Sequence, residues 1–236
     1  MSTNFGRPRR HLRIADSTNE RARELAEAGA PNGTVVTASE QTAGRGRHGR
    51  AWTAPPASAL LYSAILRPLT GRHALLPLAV PLAACEAIEA AAPVRCEVKW
   101  PNDVWIERRK AAGVLIEARP PEWAVIGVGV NVAIEPDEFP PDLRWPATSV
   151  GHGASVERVL DALDEALSRW VDAPDDVVLE DFRRRDGLSG WTVSWEDAGD
   201  GTGTARGVDE RGNLLVETGA GDRVALGAGE VRLVPR

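Results

Sequence analysis

Between residues 94 and 132 four extended runs follow one another with little chain between them, and this constrains the architecture more than any other feature. Residues 94–100 alternate, with Val94, Cys96 and Val98 on one face and Arg95, Glu97 and Lys99 on the other. Residues 104–106, 113–118 and 123–132 read as three more strands, separated by charged or Pro-containing turns. Parallel neighbours need a crossover of roughly a dozen residues or more, so strands this close in sequence must pair antiparallel. The expectation is an antiparallel meander.

Helical segments surround it. Ser17 stands three residues before Glu20, the spacing of a capping box, which predicts a first helix over 18–28 stopped by Gly29 and Pro31. Residues 75–92, rich in Ala and Leu, read as a long buried helix, with Pro77 tolerable in its first turn and Pro81 expected to kink it. Val156, Val159, Leu160, Leu163, Leu167 and Trp170 recur at helical spacing, and residues 175–185 give another helix after Pro174. Strands are expected at 34–39 and 60–66. From residue 187 the composition shifts: 11 of the 23 glycines fall in the last 50 residues, between short runs at 191–195, 214–217 and 231–234. Short strands between Gly turns suggest a small barrel or half-barrel, which places a boundary near Arg185 and two units, 1–185 and 186–236.

The longest apolar stretches are broken by proline and fall short of the roughly 18–20 residues that a bilayer span needs. The polar start, with Arg7, Arg9 and Arg10 and no apolar segment behind them, reads as no secretory signal, and two cysteines make no disulfide framework. A cytoplasmic protein is expected. With 28 Lys+Arg against 34 Asp+Glu the net charge is −6, which disfavours a general polyanion binder and makes a local basic cluster informative.

Such a cluster occupies residues 44–50, where Arg45, Arg47, His48 and Arg50 alternate with Gly44, Gly46 and Gly49. The glycines match G-x-G-x-x-G, yet the chain continues into Trp52, Pro55 and Pro56 rather than a helix, so a dinucleotide fingerprint is excluded by context. No Walker A loop occurs. The cations repel one another without an anion, so the loop is expected to be mobile when empty and to close around a polyphosphate. A solvated basic turn, or a nucleic-acid contact, is the alternative. Lys99 ends a strand beside Pro101, Asn102 and Asp103, and alone would be an exposed lysine. Ser17, Thr18 and Asn19 are explained by a helix cap, although a helix start also offers hydrogen-bonding groups to a ligand. His11, His73 and His152 receive no role.

Taken in order, Ser17-Thr18-Asn19, the loop 44–50, Lys99-Trp100-Pro101-Asn102-Asp103, the run 109–113 and the run 126–131 resemble the biotin protein ligases over nearly the whole chain. The resemblance implies an α+β fold, a mostly antiparallel sheet flanked by helices as in class II aminoacyl-tRNA synthetases, followed by an SH3-like β-barrel. Residues 1–15 are too few for a winged helix-turn-helix, so the monofunctional type is expected. The implied substrates are biotin and ATP with Mg²⁺. The implied partner is a biotin carboxyl carrier protein, with no nucleic acid and no membrane.

By the same likeness Lys99 and Arg47 are the catalytic pair, Lys99 meeting the biotin carboxylate and then the adenylate phosphate. Biotin would be lined by Ser17, Thr18, Asn19, Gln41, Arg45, Gly46, Arg47 and Gly113. The nucleotide would meet Arg45, Arg47, Arg50, Trp52, Lys99, Asn131 and Trp145, the last, in Leu143-Arg144-Trp145-Pro146, stacking on adenine unless it is only a half-buried loop aromatic. No protein metal site is expected, Mg²⁺ being carried by phosphates and water. A lipoate ligase or octanoyl transferase is the rival of the same fold, but the latter needs a nucleophilic cysteine and neither Cys85 nor Cys96 is placed for it. A non-catalytic binding module or regulator would leave Lys99 and the arginine loop unexplained.

Overall fold

The computed structural model describes residues 4–143, 145–151, 153–196, 200–227 and 229–234, so Arg144 and His152 lie outside the described residues. The larger sheet has seven strands, β1 (Arg9–Leu12), β2 (Val35–Ala38), β3 (Ala59–Leu66), β4 (Cys96–Lys99), β5 (Asp103–Ile106), β6 (Arg109–Arg119) and β7 (Trp123–Asn131), in the order β1-β2-β3-β7-β6-β5-β4. The last four are the expected meander, each antiparallel to the next in sequence. The edge strand β1, which carries no apolar alternation to announce it, pairs parallel with β2.

Four helices flank this sheet: α1 (Thr18–Glu27), α2 (Leu76–Ala91), α3 (Val156–Trp170) and α4 (Asp175–Arg185). The two-residue side-chain period of a strand sorts them onto two faces. Val35, Tyr62, Ala64 and Leu66 pack in the main core with Leu78, Leu82 and Ile88 of α2 and Leu163 of α3. Their neighbours Val36 and Ile65 point the other way, where they join Trp123, Val125 and the α1 residues Ala22 and Ala26. Each such side chain contributes about 1.5–3 kcal/mol by leaving water. Helix α2 runs through Pro81 without interruption, and all of it but Pro77, Glu86, Glu89 and Ala90 is buried.

The capping box does not form. Ser17 is the N-cap by backbone, yet its side chain accepts no bond from the helix, and Glu20 pairs with Arg23 and Arg45 instead. The competing attraction is two guanidinium groups against one neutral amide.

The C-terminal sheet is antiparallel and five-stranded, β8 (Thr192–Trp195), β9 (Gly201–Val208), β10 (Leu214–Thr218), β11 (Arg223–Leu226) and β12 (Val231–Leu233), in the order β11-β10-β9-β8-β12. Strand β9 escaped sequence reasoning because glycine and threonine dominate it. Gly203 is required there by close approach, since a Cβ would come 2.5 Å from the Glu217 carbonyl oxygen. Among the described residues no helix is long and apolar enough to cross a membrane.

Candidate active site

The site is built on the α1 face of the large sheet, where α1 covers the start of β7 and the cavity takes the rest of β7, from Gly127 on, with the neighbouring stretch of β6. Gly113 of β6 is paired with Gly129 of β7, and Gly127 lies two residues along the same face. Their missing side chains admit two others. A Cβ on Gly129 would come 2.5 Å from the Trp52 ring, and one on Gly127 would collide with the Asn19 carboxamide. The run 126–131 is thus a floor that only glycine permits.

Over this floor lies a cavity of about 670 Å³, and every site residue expected from the sequence is in its wall. At one end the start of α1 forms a buried polar cluster. Gln41 Oε1 accepts from the Thr18 amide at 2.7 Å and from its hydroxyl at 3.0 Å. The Ser63 hydroxyl lies 2.8 Å from Thr18 Oγ1 and 2.6 Å from Asn19 Oδ1, and Asn19 donates to Glu117 at 2.8 Å. Ser17, which caps nothing, also faces the cavity.

The loop 44–50 is closed on itself. Gly46 N–H donates to Arg50 O at 2.7 Å, Trp52 N–H to Gly44 O at 2.9 Å, and Arg45 bridges Ala51. A short 3₁₀ turn spans Arg47–Gly49, with His48 at φ 56° and Gly49 at 71°. Its cations are distributed over separate elements. Arg45 lies 3.2 Å from both Glu20 of α1 and Glu117 of β6, Arg47 donates to Asn102 Oδ1 at 3.2 Å, and Arg50 pairs with Glu230 before β12 at 3.2 Å.

Lys99, the last residue of β4, is held differently. It is 8% exposed, and among the described residues no carboxylate lies within ion-pair reach. Burial pushes its pKa below the ordinary lysine value, partly opposed by Asp103 and Glu230 and reinforced by Lys110 and Arg50. Its ammonium stands 5.8 Å from the centre of the Trp145 ring. Trp145 is half-buried and stacked on Trp105, ring centres 5.3 Å apart and planes within 3°. Asn131 faces the same end, but its amide donates to the Lys110 and Thr148 carbonyls at 3.3 and 3.1 Å, tying the loop after Trp145 to β6.

Among the cavity residues that received no role from the sequence are Lys110, Asp103 and Glu230. Lys110 pairs with Asp103 at 2.7 Å, and its ammonium would lie 3.2 Å from a Cβ on Gly113. The signal was present, since both residues sit inside the motifs 99–103 and 109–113. Glu230 had none, being 180 residues from Arg50 and just before β12 of the C-terminal sheet.

A family model described as the biotin/lipoate A/B protein ligase family matches residues 12–131, and another, the biotin protein ligase C-terminal domain, matches residues 192–234. The chain belongs to the biotin/lipoate A/B protein ligase family. Its similarity within that family runs to biotin protein ligases. The bifunctional ligase/repressor BirA of Bacillus subtilis is 34% identical over 232 residues, which span 88% of this chain and 69% of that one. The biotin-acetyl-CoA-carboxylase ligase of Mycobacterium tuberculosis is 34% identical over 228 residues, 91% and 85% of the two chains. The structure of biotin protein ligase from Aquifex aeolicus in complex with biotin and ATP matches with a TM-score of 0.85 at 28% identity, over 98% of this chain and 100% of that one.

Proposed function

We propose that this cavity carries both half-reactions of an ATP-dependent biotin protein ligase. A biotin carboxylate oxygen attacks the α-phosphorus of ATP and pyrophosphate leaves. The lysine amine of a biotin carboxyl carrier protein then attacks the acyl carbon of biotinyl-5′-AMP, and AMP leaves. The carrier would belong to acetyl-CoA carboxylase or a related carboxylase. The observation that carries this reading is a buried lysine that, among the described residues, has no carboxylate within ion-pair reach, sharing one cavity with an arginine loop whose charges rest on replaceable partners.

The first step presses two anions together. At about 4 Å their repulsion is about 4 kcal/mol per pair of unit charges at an effective dielectric near 20. Lys99 offsets that repulsion with a charge already fixed and desolvated, so no solvent need reorganise as the phosphorus is attacked. Lys110, above Gly113 on the biotin side, is a second cation for the carboxylate. Arg45, Arg47 and Arg50 would leave their present partners for the polyphosphate, and the loop would close over the adenylate and keep water from it. No protein nucleophile is needed. Biotin would lie on the glycine floor against Trp52, with its ureido ring among Ser17, Thr18, Asn19 and Gln41. Adenine would stack on Trp145, with Asn131 holding that loop in place.

Mg²⁺ would arrive with ATP. Among the described residues no group of three or more His, Cys, Asp or Glu side chains gathers to hold an ion, and Asp103 is engaged by Lys110. Phosphate oxygens and water would be its ligands. Residues 1–185 would form the catalytic unit and 186–236 an accessory one that lends Glu230 to the cavity. Two buried free thiols, Cys85 and Cys96, suit a reducing cytoplasm, and neither lines the cavity, which disfavours an octanoyl transferase. ATP–pyrophosphate exchange with biotin, lipoate and octanoate offered separately tests the reading. Exchange is expected with biotin alone, and equal exchange with either other acid would overturn it.

A further inference from the structure

The hairpin between β5 and β6 turns at Glu107 and Arg108, both in the left-handed region at φ 49° and 62°. From that turn the Arg108 guanidinium reaches two indoles, its carbon 5.3 Å from the Trp105 ring centre and 3.8 Å from that of Trp191. Trp191 immediately precedes β8, so the contact joins the meander to the C-terminal sheet. One terminal nitrogen, Nη2, is buried and has no hydrogen-bond partner among the described residues. The group therefore acts through its planar face, as cation–π geometry requires.

The same residue holds the ring that faces the cavity. Trp105, fully buried, carries Trp145 in a near-coplanar stack, and the Arg108 carbonyl accepts the Trp145 indole N–H at 3.2 Å. The chain beyond Trp145 is pinned two residues further along the hairpin, where Lys110 N–H donates to Pro146 O at 2.8 Å and Thr148 N–H to Lys110 O at 2.9 Å. Neither Arg108 nor Trp191 lines the cavity, so neither can touch a ligand there.

We propose that Arg108 is a positioning residue for the nucleotide: clamped between Trp105 and Trp191, it fixes the plane of Trp145, so that the seating of the C-terminal sheet sets the affinity for ATP. The inference rests on reading Trp145 as the ring that stacks on adenine. It differs from a contact with substrate, since Arg108 would act on ATP only through the indoles.

The test is biotin-dependent ATP–pyrophosphate exchange in the full chain, with separate KM values for ATP and biotin in Arg108→Ala, Trp191→Ala and the double variant. Each single change is expected to raise KM for ATP about 3- to 10-fold, the span that a partly desolvated cation–π contact supplies, with KM for biotin unmoved. The double variant should be no worse than the poorer single one, because both remove one contact. Arg108→Lys, which keeps the charge without the plane, should recover part of the loss, and it serves equally where Arg108→Ala does not fold. The circular-dichroism couplet of the Trp105–Trp145 stack should weaken in parallel. Equal rises in both KM values, additive losses, or an unchanged couplet would overturn the proposal. If Trp145→Ala leaves KM for ATP unchanged, the adenine assignment itself falls. If Trp145→Ala raises it and Arg108→Ala does not, only the positioning role is lost.

Discussion

Lys99 and the arginines of the loop 44–50 serve one cavity from opposite starting points. Lys99 is 8% exposed and among the described residues has no carboxylate partner, whereas the Arg45 and Arg50 side chains are 41% and 45% exposed and each rests on an acidic residue of another element. For the lysine, desolvation was met on folding by the packing of β4, and its charge stands ready without rearrangement. For the arginines, exposed pairs contribute only about 0–1 kcal/mol each, so an incoming polyphosphate can displace the carboxylates at little cost. One region is preorganised for the reacting atoms, and the other is built to exchange partners.

The sharpest way to break this contrast is to remove the two kinds of cation in turn. Lys99→Ala is expected to lower the rate of biotin-dependent exchange by about 10²–10³-fold, the scale of losing one preorganised electrostatic group. Arg45→Ala, whose charge is paired with Glu20 and Glu117 before the ligand arrives, should lose only about 10-fold, mostly in KM for ATP. Equal losses in kcat for both would show that preorganisation does not separate them. The pH profile gives an independent reading. Because burial lowers the Lys99 pKa, its charge is present at low pH and disappears as pH rises through a value below that of an ordinary lysine. The alkaline limb of the exchange rate should therefore begin early, and Lys99→Arg should lose that limb whatever rate remains.

The same contrast governs how much could be read from residues alone. The meander was legible because short connections leave antiparallel pairing as the only choice, and the helix over Asp175–Arg185 because Pro174 marks its start. Loop 44–50 was legible as a cationic strip because local charge density needs no tertiary knowledge. Its partners were not, since Glu117 and Glu230 are brought to it by strands far along the chain. Lys99 looked like an exposed strand end, and only the packing of β4 against β5 and the loop carrying Trp145 buries it. Ser17 is the N-cap that the sequence marks, but the capping box does not close because Glu20 has ion pairs to make that the sequence does not display.

A third change probes the strand behind Lys99. Asp186 bridges Val98, and its Oδ1 accepts the Leu188 amide at 2.8 Å while Oδ2 is buried without a partner. Burial raises its pKa to about 6, above the ordinary 3.8, despite the backbone bonds that favour the charged form. The folded state thus holds this proton more tightly than the unfolded chain does. Stability from this group is fully present below the ordinary carboxylate value and is lost as pH rises through about 6. Asp186→Asn should flatten that loss and leave the variant more stable above neutrality by up to about 3 kcal/mol, at the 1.36 kcal/mol that each pKa unit represents. Thermal unfolding across pH measures it, and parallel curves for both proteins would refute the assignment.

The smallest expected effect has the opposite sign from the others. Glu230→Gln removes the carboxylate from which Arg50 must part, in a pair exposed enough to be worth no more than about 1 kcal/mol. If the pair is a resting place, KM for ATP should fall by up to about fivefold, since the cost of displacement disappears. Glu230 also favours the charged form of Lys99, so the alkaline limb should move to still lower pH in the same variant. The two effects separate the roles of one side chain. A lower KM with an unmoved limb would confine Glu230 to the arginine loop, while a higher KM would mean that it helps to hold the bound ligand. In that case the loop is preorganised as Lys99 is, and the division drawn between the two regions disappears.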